Sequence, residues 1–322
     1  MAYTTIDDPG LFFNLINYTG DASADQAQTG VGFQPDLVWT KARNAANWHG
    51  LSDSVRGTEK FLYPNVNNAE ESSTEYLESF DSDGFTHGEN GSIGDASNFT
   101  AWCWKEGTVP GLDIVAYTGN GTARTISHNL SAVPKMMIFK NRARADNWDT
   151  YHVGVGNTKA WFLNSTSTPD DQTVYFNDTD PTSSVFTIGN NTSLNANTEA
   201  CIAYVFADVQ GFSKFGSYEG NGNADGTFVY TGFKPAWLLA KSIDSTAGAY
   251  IIPSKKDWLN GDTYFQYVYT NTTESNADFV DFHSNGFKLR KNDDINNAET
   301  YIYAAFAESP FVNSNGVPTT AR

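Results

Sequence analysis

The sequence predicts an all-β protein made of three tandem β-sandwich, jelly-roll-like repeats of about 100 residues each. Three observations lead there. A proline, a short apolar run and a lysine occur together three times, as Pro35–Lys41, Pro134–Lys140 and Pro235–Lys241. A tyrosine stands 17 residues ahead of each proline, at Tyr18, Tyr117 and Tyr218. The composition, 14% aromatic with abundant Thr, Asn and Gly and few Leu-Glu-Lys patterns, favours strands over helices.

The prolines stand 99 and then 101 residues apart, so the repeat is far longer than a solenoid or propeller unit and each copy should own a core. In each motif the apolar residues are adjacent, which suits a strand covered on both faces. The proline suits a strand's first residue, where no ladder donor is needed. The lysine is expected to mark the strand's exit into solvent. Gly20, Gly119 and Gly220, two places after each tyrosine, are expected to open turns.

Residues 1–11 read as an arm, with Asp8-Pro9-Gly10 as a turn. The repeats then span 12–109, 110–210 and 211–308, and 309–322 forms an irregular tail. After each lysine comes a polar bend, beginning Arg43, Arg142 and Ile243. Gly57–Leu62, Asn157–Leu163 and Gly261–Phe265 resemble one another, and the polar stretches 64–75, 164–173 and 270–278 read as exposed loops. Asp83-Gly84 and Asn285-Gly286 predict hairpins with type I′ turns; the second repeat lacks the pair and must turn differently. Each repeat closes on an alternating strand, at Ala101–Trp104, Ile202–Ala207 and Ile302–Ala307. Short linkers, Val109–Gly111 and Asp208–Gly211, favour packed neighbours.

The net charge of −17 argues against a nucleic-acid groove, which needs Lys and Arg to neutralise phosphates. No apolar run approaches the ~18 residues of a membrane span, and no signal-peptide core follows Met1. Synthesis in a host cytoplasm is therefore expected. The two cysteines, Cys103 and Cys201, sit at non-equivalent repeat positions, which argues against a disulfide.

Four segments carry a resemblance: Met1–Pro9, the pairing of Asp53–Gly57 with Phe80–Phe85, Ala101–Lys105, and Phe212 through Lys241. Together they resemble a repeat module of virion-associated proteins in tailed bacteriophages, marine ones in particular. The resemblance spans nearly the whole chain, with the second repeat most divergent. It implies a virion location as a tail-fibre, tail-tip or head-surface component, with other virion proteins as partners. It brings no catalytic residues to transfer.

The chemistry-bearing residues fit that expectation. The five histidines lack zinc-site spacing, and Asp81-Ser82-Asp83-Gly84 lacks the later ligands of a calcium loop, so no metal and no cofactor is expected. No Gly-x-Ser-x-Gly elbow occurs, and the expectation is a non-enzyme. The alternative is a lectin-like module, with Asn47, Trp48, Asn147 and Trp148 stacking on and hydrogen-bonding a host-surface glycan. A polysaccharide depolymerase ranks last; it would need paired carboxylates from Glu70, Glu75, Asp81 or Asp278. Three copies in one chain could also supply a pseudo-threefold, and a homo-oligomer is a further expectation without heptads or collagen repeats to specify it.

Overall fold

The computed structural model describes residues 3–254, 263–292 and 295–319. Gly261 and Asp262 of the third middle segment lie outside the described residues. The fold is all-β; the helical elements among the described residues are a single turn at Pro9–Leu11 and another at Thr192–Asn195.

One strand order occurs three times. In the first large sheet it runs Phe13–Thr19, Asn98–Trp104, Leu37–Ala42, Gly50–Asp53. In the second it runs Leu112–Thr118, Ala200–Phe206, Met136–Asn141, Asp149–His152, and in the third Ser213–Glu219, Thr300–Pro310, Phe233–Ser242, Tyr250–Pro253. Neighbours pair antiparallel throughout. The apolar run and lysine of each motif thus lie on a strand interior to its sheet, but no proline is a strand's first residue: Pro35 and Pro134 stand two residues ahead of their strands, and Pro235 sits inside its strand at a register shift. The third closing strand runs on through Pro310, two residues past the expected boundary.

Tyr18, Tyr117 and Tyr218 lie on the lead strands, and their hydroxyls donate to the carbonyls of Ile93, Leu194 and Ile295 at 2.7, 2.7 and 2.8 Å. Burial pushes all three phenols well above their ordinary range, so each is a neutral donor that ties the lead strand to the segment entering the closing strand. The glycine two places later does not open a positive-φ turn. It permits close approach: a Cβ at Gly20, Gly119 or Gly220 would stand 2.0, 2.1 and 2.0 Å from the carbonyl oxygens of Asp95, Ala196 and Asn297.

Each large sheet has two covered faces. One packs on a smaller sheet: Gln26–Thr29, Gly84–His87, Leu77–Asp81 in the first unit; Arg124–Ser127 with Val185–Ile188 in the second; Phe228–Tyr230, Gly286–Leu289, Val280–His283 in the third. The other faces meet one another in a single core shared by all three units. Strand register stacks this core in layers. Leu37, Met136 and Trp237 occupy one level and pair across to Trp104, Phe206 and Phe306. Ring contacts join the units: Trp104 to Trp237 at 5.7 Å, Phe206 to Phe306 at 5.9 Å, and Phe13 to Phe306 at 5.2 Å. The expectation of one core per repeat is therefore incomplete, and the shared core is why the motif strands are apolar on both faces.

Three local expectations are corrected. The motif lysines do not reach solvent; Lys41, Lys140 and Lys241 are fully buried. The hairpins exist, but their two-residue loops are Ser82-Asp83 and Ser284-Asn285, none at positive φ, so they are not type I′. Gly84 and Gly286 instead begin the return strands, where a Cβ would meet the carbonyl oxygens of Gln28 and Val229 at 1.9 and 2.1 Å. The polar stretches also contain short strands, Glu71–Ser72, Asp170–Asp171 and Ser275–Ala277.

Candidate functional site

The polar chemistry concentrates where the three units meet. A buried ammonium must find oxygen partners, and each motif lysine finds backbone carbonyls. Lys140 Nζ donates to Asp146 O at 2.7 Å and to Arg144 O and Asn67 O at 3.1 Å. Lys41 Nζ donates to Ala42 O at 2.8 Å, with Ala45 O and Asn271 O at 3.4 Å. Lys241 Nζ donates to Ala247 O at 2.5 Å. Two of the three thus reach into a neighbouring unit, Lys140 from the second to the first and Lys41 from the first to the third. Burial pushes each ammonium down to about 8.

The bend after each lysine adds a second link. Arg142 forks onto Glu70 with two 2.8 Å contacts, and Glu70 N donates back to Arg142 O at 2.9 Å. Arg43 Nε pairs with Glu274 at 3.3 Å, and Glu274 N donates to Arg43 O at 2.9 Å. By strand register, Ile243 and Pro169 occupy the third pair of positions. A third link is aromatic. Trp148 Nε1 donates to Tyr63 O at 3.0 Å and Val66 O at 3.1 Å, and His49 Nε2 contacts Tyr267 O at 3.0 Å. Ala249 holds the corresponding third position.

Between the first and second units these links join a buried network. Arg56 donates through Nε to Asp53 and through Nη1 to Glu70 at 3.2 Å, while Tyr204 OH donates to Asp53 Oδ2 at 2.7 Å. The Asp53 and Arg56 side chains are fully buried. Burial alone would raise the Glu70 carboxyl, but Arg142 and Arg56 outweigh it and hold the group below its ordinary range. Glu70 is therefore a seam residue, not a member of an exposed acidic loop.

The predicted glycan residues separate. Trp148 is 0% exposed within the shared core, which corrects its reading as a stacking platform. Asn147 accepts from Asn164 Nδ2 at 3.1 Å on the surface. Trp48 is 39% exposed and leans edge-on against Tyr63 at 5.1 Å. Asn47 Nδ2 donates to Asp95 Oδ2 at 2.7 Å. The matching Asn-Trp dipeptides misled, because ladder register aligns Trp148 with His49 rather than with Trp48.

Of the carboxylates considered for catalysis, Asp81 accepts from Ser79 and Thr86 at 2.8 Å, and Glu75 is exposed. A cleft of about 350 Å³ at the first linker brings together Asp36, Glu106 and Asp113, a grouping that sequence spacing does not show. Burial and Asp113 push the Glu106 carboxyl up to about 7. Asp36 accepts from Glu106 N at 2.8 Å, and Asp113 accepts from Asn129 N at 2.7 Å, so both acids already brace backbone. Among the described residues, no group of three or more His, Cys, Asp or Glu side chains has the geometry to hold a metal ion. Cys103 and Cys201 are buried free thiols.

A family model described as Domain of unknown function (DUF7483) matches residues 8–310. No curated protein matches the chain.

Proposed function

We propose that this chain, which belongs to the DUF7483 family, is a structural component of a tailed-phage particle that presents β-sandwich loops for assembly or host attachment. The observation that carries this reading is the shared core. Three sandwiches packed face to face on one core suit a part that must hold its contact surfaces at fixed spacing under load. The three motif lysines, with their displaced pKa values, are spent on holding the bends and seams. The phage assignment itself rests on the sequence resemblance. Immunogold labelling of purified particles tests it: signal on tail or head surface supports the reading, and label confined to free protein refutes it.

A second reading is glycan contact through Trp48 and Asn47, favoured by the exposed Trp48 ring at the mouth of the first unit's bend. A Trp48→Ala variant that binds a glycan array as wild type does would remove it.

A further inference from the structure

The smaller sheets differ in what they show to solvent. In the first unit the outer positions of the edge strand are Ala27 and Thr29, and in the second Thr125 and Ser127. At the register-equivalent positions the third unit places Phe228, 45% exposed, and Tyr230, 51% exposed. The glycine opposite does not require them as cover, since Gly84 occupies the same place in the first unit beside Thr29. The rings are continued at both ends. His283 lies 5.8 Å from Phe228, and Tyr3 OH meets Tyr230 OH at 3.2 Å.

The same face carries two cations, each matched by one acid. Lys288 pairs opposite Phe228, and Arg290 follows two places on, in a chain whose acids exceed its bases by 17. Each is held by one carboxylate, Lys288 by Asp225 and Arg290 by Asp281 at 3.2 Å. Asp225 is 82% exposed, so its pair is the kind that contributes little and exchanges readily with an incoming anion.

We propose that this face, Phe228 and Tyr230 flanked by Lys288 and Arg290, binds an anionic polysaccharide. The rings stack on the apolar faces of the sugar, and the two cations take the carboxylate or sulfate groups along the chain. A nucleic-acid strand would meet the same rings and cations, and an oligonucleotide mobility shift separates it from a sugar polymer. The proposal goes beyond particle assembly and is independent of Trp48.

Affinity electrophoresis of the full chain in gels containing alginate, dextran sulfate or neutral dextran tests it, alongside a mobility shift with a single-stranded oligonucleotide. Retardation by alginate identifies a carboxylated ligand, and retardation by dextran sulfate a sulfated one. Phe228→Ala/Tyr230→Ala and, separately, Lys288→Ala/Arg290→Ala should each weaken retardation about tenfold or more. Trp48→Ala should leave it unchanged. All the substituted side chains are partly or largely exposed, so melting temperatures should match wild type. Should the aromatic pair fail to fold, the lysine–arginine pair decides. Absence of retardation in both anionic gels, equal retardation by neutral dextran, retardation unaffected by the folded variants, or tighter binding of the oligonucleotide would each overturn the proposal.

Discussion

The seam between the first and second units and the seam between the second and third are built from the same ladder positions and filled with different chemistry. The first has Lys140, Arg142 with Glu70, and Trp148, all crossing to the neighbour, above the buried Asp53–Arg56 pair. The second has Lys241, which stays within its own bend, Ile243 with Pro169, and Ala249. Proline also lacks the N–H that Glu70 and Glu274 donate across the other seams. Among the described residues, the second and third units are joined by apolar packing, by His152, whose Nε2 meets Tyr303 O at 3.0 Å, and at the linker by Asp208, which accepts from Phe215 N at 2.9 Å, and Ser213, whose hydroxyl donates to Ala207 O at 3.1 Å. One architecture therefore tolerates either a polar or an apolar seam, because the shared core supplies the common adhesion. The polar seams add register, since a fork onto one carboxylate fixes position in a way that aliphatic contact does not.

The largest expected effect comes from breaking the buried pair. Asp53→Ala leaves the fully buried Arg56 with Glu70 at 3.2 Å but without its closest carboxylate, and leaves the Tyr204 hydroxyl without its acceptor. A loss of about 3–5 kcal/mol in unfolding free energy is expected. Urea denaturation measures it; a loss under ~1 kcal/mol would mean that the polar seam contributes no more than the apolar one.

Acid should separate the seams next. Burial holds the folded His152 imidazole near 4, below its ordinary 6.5, so the folded state binds fewer protons and loses stability as pH falls through that window. The full effect is about 3 kcal/mol. Buried Asp149 runs the other way: its carboxyl is raised from 3.8 to about 7, so acidification stabilises the fold over an overlapping range. The two slopes partly cancel in the parent chain. Relative to the parent chain, His152→Gln should gain stability on going from pH 7 to 4.5 and Asp149→Asn should lose it, in denaturant midpoints at the two values; Glu106, His49 and His87 titrate in all three proteins and drop out of the difference. Parallel pH slopes in the two variants would contradict this.

Trp148→Phe keeps the ring in the core and removes the donor to Tyr63 O and Val66 O. The expected cost is about 1–3 kcal/mol, from the donor lost to Val66 O, while Tyr63 O keeps Val66 N at 3.3 Å. A cost near zero would make the indole mere filling, like Ala249 in the third unit.

Some of this was legible in the sequence and some was not, for physical reasons. The 17-residue offset of the tyrosines was readable because lead and central strands flank one closing strand in the same register in all three units: Tyr18 and Ala42 face Phe99, Tyr117 and Asn141 face Cys201, and Tyr218 and Ser242 face Tyr301. The lysines misled because their partners are backbone carbonyls, and a carbonyl leaves no residue-type signature. Glycines needed for close approach look the same as glycines needed for positive φ. The misaligned Trp48 and Trp148 show a one-residue slip turning a core side chain into an apparent surface one. The shared core was hinted at by apolar runs too continuous for a sheet with one wet face, but a run does not say which unit covers it.

The smallest effect should come from installing the missing pair. Pro169→Glu with Ile243→Arg gives the third seam the residues that the other two carry at those positions. The new pair gains a charge-assisted bond and restores a backbone donor, but it gives up Ile243 packing against the shared core. Half-exposed ion pairs and their hydrophobic replacements commonly differ little, so the double variant should lie within ~1 kcal/mol of the parent. Each single variant should be worse than the double, Ile243→Arg more so, since it places a guanidinium beside the core without its acid. A double-mutant cycle reads the coupling directly. Coupling close to zero would show that the third seam is spaced differently from the others, and that its apolar residues hold a distinct geometry rather than an alternative chemistry in the same one.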